Sequence, residues 1–126
     1  MTLSDRRVYA KLIVALAEDD RSEIVRLFHD EMGIRTKHND SDIMYRLACF
    51  FNDRDTDDVM QGLNIQLFLE DMDRRDPIVT QNDEFVMVAR LSILMRGMGN
   101  AFHLKLRTAK AWEQQARQFL QDHPEQ

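Results

Sequence analysis

A chain of 126 residues with 44% apolar and 31% charged residues is the length of one domain and long enough to bury a core, which excludes a disordered tail. The formal charge of −5 argues against a nucleic-acid footprint, since phosphate binding shows as clustered Lys and Arg. A single cysteine, Cys49, excludes an internal disulfide and fits a reducing compartment or an organelle interior.

Glycine (4) and proline (2) are scarce, whereas Leu, Met, Ala, Arg, Glu and Gln, which lose little entropy in a helix, are plentiful. In chain order, Ser4 reads as the N-cap of a first helix whose inner face is Val8, Tyr9, Leu12, Ile13 and Leu16. "EDD" ends it. Asp20 caps the next, with Glu23 as capping-box partner, Ile24, Leu27 and Phe28 inside, and Gly33 at the left-handed C′ position. "RTKHND" reads as a loop, after which Asp40 or Ser41 caps a third helix striped by Ile43, Met44, Leu47, Phe50 and Phe51.

The acidic "NDRDTDD" comes next, followed by one helix or a pair holding Val59, Met60, Leu63, Leu67, Phe68 and Met72 and closed by "RRDP". Thr80 or Asn82 opens a helix from Asp83 to about Arg96. It is apolar nearly all round, which predicts a central position buried on several sides. The last helix begins at Thr108, with Ala109, Trp112, Ala116 and Phe119 along one face. No strand pattern competes for more than four residues, so the expectation is an all-α single domain over 1–126 of about six helices.

Asp53, Asp55 and Asp57 alternate as in an EF-hand loop, but the sixth position is Asp58 where glycine belongs and the twelfth is Asn64 where a bidentate Glu belongs. A solvated loop in which Asp55 or Asp57 caps a helix is the better account. His29, His38, His103 and His123 share no metal-ligand spacing, and Cys49 reads as a small apolar core residue. No metal site and no catalytic group is therefore assigned. Arg90 lies in an apolar stretch and must either emerge at an edge or pair with an acid, because a lone buried guanidinium is costly. Gly97 and Gly99, in "RGMG", follow a helix and so sit at the end whose dipole repels anions, which is wrong for a phosphate cradle. They are read as ending the helix or permitting a tight helix crossing. No segment reaches the roughly 20 apolar residues of a membrane span, the run Phe85 to Met95 being broken by Arg90 and Ser92.

Three segments together resemble a known family: "RRVYAKLIVALAEDDRSEIVRLFHDEMGIRTK", "NIQLFLEDMDRRDPIVTQNDEFVMVARLSILMRGMGNAF" and "LRTAKAWEQQARQFL". They are similar to the C-terminal part of the UbiB-like atypical kinases, also called aarF-domain kinases. In that family an Arg-Tyr-Ala helix and an acidic turn follow the metal-binding Asp–(Phe/Tyr)–Gly motif, as Leu3 to Asp20 do here. An "LxRGxG" pattern then precedes a Trp-containing last helix, matched by Leu94, Arg96, Gly97, Gly99 and Trp112.

The resemblance implies a compact orthogonal bundle like the helical end of a kinase C-lobe. It places the chemistry upstream, in a Lys-x-Gly-Gln helix, a lysine–glutamate pair and metal-holding aspartates that this chain lacks. The chain by itself is then non-catalytic and holds no cofactor, Mg-ATP belonging to the parent. The parent would act in ubiquinone-type lipid metabolism at a mitochondrial, plastid or bacterial membrane surface. An exposed apolar face would dock the missing kinase-like N-terminal portion or drive self-association. The alternative is a self-sufficient helical interaction module that takes a partner helix in an apolar groove.

Overall fold

The computed structural model describes residues 2–101 and 108–124, with side chains described for 2–94 and 108–124. The domain is all-α apart from one two-stranded ladder.

Helix α1 (Leu3–Glu18) is capped by Thr2, whose hydroxyl accepts the Asp5 N–H at 3.1 Å, two residues before the expected Ser4. Its C-terminus closes on Asp19 in the left-handed region (φ 53°). Asp20 caps α2 (Arg21–Arg26) as expected, accepting the Glu23 N–H at 3.4 Å. The chain then widens into a π-helical turn over Leu27–Glu31, which directs Leu27 and Phe28 into the core, and Gly33 (φ 74°) stops it.

The expected loop holds β1 (Arg35–Thr36), paired antiparallel with β2 (Ile78–Thr80) in the register Arg35 to Thr80 and Thr36 to Ile78. Asp40 caps α3 (Ser41–Asn52) by accepting the N–H groups of Asp42 and Ile43 at 2.9 and 3.2 Å. Two helices follow: α4 (Asp57–Met60), preceded by Thr56 rather than by a capping Asp55 or Asp57, and α5 (Ile65–Arg75), capped by Asn64. Asn82 caps α6 (Asp83–Ala101), and α7 (Thr108–Asp122) closes the fold.

The central helix is α3, not the apolar α6. Residues Ile43 to Phe50 are all buried, and α3 packs against α2, α4, α5 and α6. Phe50 meets Phe68 of α5 with ring centroids 5.1 Å apart. Arg46 is carried into this interior: its Nε donates to the Val59 carbonyl at 2.9 Å and its guanidinium carbon lies 5.5 Å from the Phe68 ring centroid, while Nη2 has no hydrogen-bond partner. Cys49 is buried as expected, and burial pushes its thiol up to about 11.

Helix α6 buries Phe85, Ala89 and Ser92 but exposes Met87 (64%), Leu91 (56%) and Leu94 (61%). It therefore covers one flank of the domain. Periodicity could not reveal this, because an apolar residue on an uncovered face looks the same in sequence as one in the core.

One buried carboxylate pins the loop that leads into α3. Asp76, just after α5, accepts the Thr36 hydroxyl at 2.6 Å, the His38 N–H at 2.6 Å and the Asp40 N–H at 2.9 Å. Burial alone would raise its pKa, but these three donors outweigh it and hold the carboxyl below its ordinary value. Its charged form thus contributes stability above the unfolded pKa of about 3.9, lost as pH falls through the lower folded value. We expect Asp76→Ala to cost about 3 kcal/mol in urea denaturation at pH 7, since buried donors lose their acceptor. The stability difference between wild type and Asp76→Asn is expected to shrink below about pH 4, and a pH-independent difference would contradict this account.

Candidate functional site

The acidic run after α3 is not a solvated loop throughout. Asp53 and Arg54 are buried, and they join four parts of the chain. The Arg54 Nη1 donates to Asp53 at 2.7 Å, Nε donates to Asp58 at 2.9 Å, and Nη2 reaches the Tyr45 hydroxyl at 3.1 Å and Asp19 at 3.4 Å. Tyr45 in turn donates a short hydrogen bond to Asp19. Burial, followed by that bond to Asp19, pushes the Tyr45 phenol up to about 12. Burial works against the Arg54 charge, but its bonds to Asp58 and Asp53 outweigh it and keep the guanidinium protonated.

Asp53 also serves a helix 55 residues away. Its backbone carbonyl accepts the Thr108 N–H at 3.1 Å and its Oδ1 accepts the Ala109 N–H at 3.0 Å. These are orphan donors of the first turn of α7, so Asp53 caps that helix from across the fold. With its carboxylate divided between Arg54 and Ala109, Asp53 is occupied structurally and is not the first ligand of a calcium loop.

The cap sets α7 against α1. Along their length, Arg117 pairs with Glu18 at 2.6 Å and with Glu113 at 2.7 Å, and Arg7 donates to the His123 carbonyl. Between these helices and α6 lies an open apolar groove of about 380 Å³. Tyr9 and Ile13 form its α1 wall, Val88 and Leu91 its α6 wall, and Trp112 and Phe119 its α7 wall, with Arg6 as the charge at the lip. Tyr9 is anchored through its hydroxyl, which donates to Asn52 at 3.3 Å. Trp112 is 45% exposed. The chemistry such a surface offers is the burial of apolar area, with one cation to orient what binds.

The structural candidates from the sequence part company here. Trp112 lines the groove. Arg90 emerges on the other flank of α6, exposed at the lip of a second cavity. The backbone of α6 continues through Arg96, Gly97 and Gly99 to Ala101, so these glycines do not end the helix; what they pack against lies outside the described residues. An expected terminus there rested on the glycines alone, and a glycine within a helix costs only about 1 kcal/mol against alanine. His103 also falls outside the described residues. Among the described residues no group of three or more His, Cys, Asp or Glu is arranged to hold a metal ion.

Sequence reasoning missed Asp53, Arg54 and Tyr45, although a signal was present. Helical spacing from Cys49 puts residue 53 on the buried face of α3, where an acid requires a partner. Comparison of the chain with protein-family models, curated proteins and solved structures gave no match.

Removing the Asp53 side chain should loosen α7 before the rest. We expect Asp53→Ala to cost about 3 kcal/mol, because Arg54 loses a buried acceptor and Ala109 its cap. Amide hydrogen exchange should accelerate first in α7, with a red shift of Trp112 emission, while α3 stays protected. Unchanged α7 protection would contradict the cap.

Proposed function

We propose that this chain is the helical C-terminal part of a UbiB-like atypical kinase, non-catalytic by itself, and that the α1–α6–α7 groove is where it packs against the rest of its parent. The parent would bind or hydrolyse ATP in support of ubiquinone-type lipid metabolism.

The observation that supports this reading is spatial. The segments that carry the resemblance, the Arg-Tyr-Ala helix, the helix leading into "LxRGxG" and the Trp-containing last helix, are separated in sequence but wall one groove through Tyr9, Leu91 and Trp112. Met87, Leu91 and Leu94 extend that apolar surface along α6. Among the described residues no helix is long and apolar enough to cross a membrane.

The groove equally favours a second reading, a self-sufficient module that seats a partner helix. The reading frame upstream of Met1 separates the two. A Lys-x-Gly-Gln segment and an Asp–(Phe/Tyr)–Gly motif upstream are expected, and an in-frame stop codon directly before Met1 would favour the module.

Two measurements test the chain itself. Isothermal titration with Mg-ATP is expected to show no micromolar binding, and clear saturable binding would overturn the non-catalytic assignment. An apolar dye should bind the chain, and Leu91→Asp should lower its fluorescence severalfold with little change in stability, because Leu91 is already largely in water. Equal dye binding by the variant would remove the groove as the exposed face.

A further inference from the structure

Helix α6 carries a second recess on its other flank, smaller than the groove and with a larger polar share in its walls. This cavity, of about 280 Å³, is enclosed by the π-helical turn, the end of α3, β2 and the first half of α6. Phe28, Phe51 and Phe85 form its apolar walls, Ala89 contributes only a methyl group, and its polar part is the buried Asn52 with Gln81 and Arg90 at the edge.

Arg90, like Arg6 at the lip of the larger groove, is a cation at the mouth of a recess. It emerges from the apolar stretch of α6 into solvent, and among the described residues no carboxylate lies within ion-pair distance of it. Most of the other arginines on this acidic protein are matched, Arg26 to Glu23 and Glu31, Arg74 and Arg75 to Asp71, Arg117 to Glu18 and Glu113.

We propose that the cavity between α3 and α6 binds a monocarboxylate with an unbranched apolar chain, the chain lying among Phe28, Phe51 and Phe85 and the carboxylate held by Arg90. Each part of that ligand answers a feature of the site. The phenyl faces that line the recess lack packing partners on one side, so an apolar chain laid among them gains dispersion contacts. The volume lies near the lower end of ligand pockets, roughly 300–1,000 Å³, which suits a medium-length chain. A planar guanidinium matches a carboxylate through two parallel hydrogen bonds. The single cation at the lip matches a monoanion, whereas a phosphate monoester would bring a second negative charge with nothing to meet it. The Gln81 amide at the same edge can donate a further hydrogen bond.

Decanoate, below its micelle-forming concentration, is the probe, titrated into the full chain and followed by calorimetry and backbone amide NMR shifts. Saturable one-to-one binding is expected, with shifts at Phe28, Phe51 and Phe85 to Arg90. Decanol, with the same chain and no charge, should bind about tenfold more weakly, as should decanoate to Arg90→Gln, the loss of one charge-assisted interaction. Arg90 is exposed, so that variant should fold as the wild type does, which its circular dichroism would check. Ala89→Phe, which fills the recess while keeping Arg90, should abolish binding. Non-saturating shifts, shifts confined to Tyr9 and Trp112 in the other groove, or equal affinity of Arg90→Gln and wild type for decanoate would each overturn the proposal.

Discussion

The fold depends on how one guanidinium is taken out of water. Arg54 sits at the junction of α3 and α4 with its side chain almost wholly buried, and moving that charge from water is repaid only when its donors meet acceptors in good geometry. The acceptors come from the end of α1 (Asp19), from within α3 (Tyr45), from the residue after α3 (Asp53) and from α4 (Asp58). None of them can move far without leaving a donor unmet. The network thus fixes where α1 stops, how α3 turns into α4 and, through the second oxygen of Asp53, where α7 starts. Replacing such a network with apolar groups is often neutral in stability; what this one contributes is a definite register between elements that apolar contact alone would leave free to slide.

That register creates the groove. Helix α7 is amphipathic and buries Ala109 and Ala116, small residues that bring its backbone close to α1 while Trp112 and Phe119 lean toward α6. The cap at Thr108 and Ala109, together with Arg117 on Glu18, holds α7 in an orientation that leaves the indole of Trp112 half in water.

Much of this was legible in the sequence where the signal was local. Asp20, Asp40 and Asn82 cap the helices they precede, Gly33 adopts the left-handed conformation its position calls for, and Thr108 begins the last helix. Each depends on residues within four positions. What escaped depends on residues far apart. The cap of α7 comes from Asp53, and the clamp on the loop before α3 comes from Asp76, read from sequence only as a helix stop before Pro77. The β1–β2 ladder is too short for any alternation to register. The acidic run misled for a related reason: four acids in seven residues read as solvated, yet the arginine among them pairs with Asp53 and lets it go inside.

The apolar circumference of α6 is the remaining link between sequence and function. Three stripes run along it at helical spacing. Phe85, Ala89 and Ser92 turn inward, Val88 and Leu91 form one wall of the groove, and Met87 and Leu94 face water. A helix serving only this domain would need the first stripe and part of the second. Exposed leucine and methionine two turns apart add nothing to the stability of the isolated chain and invite association. Leu91 joins that face to the groove beside Trp112 and Tyr9, and Arg90, three residues after Met87 and four before Leu94, stands next to the exposed stripe as well as at the edge of the second recess. The two recesses of α6 thus differ in size and in the polar share of their walls, the larger one open and almost wholly apolar, the smaller one edged by Asn52, Gln81 and Arg90.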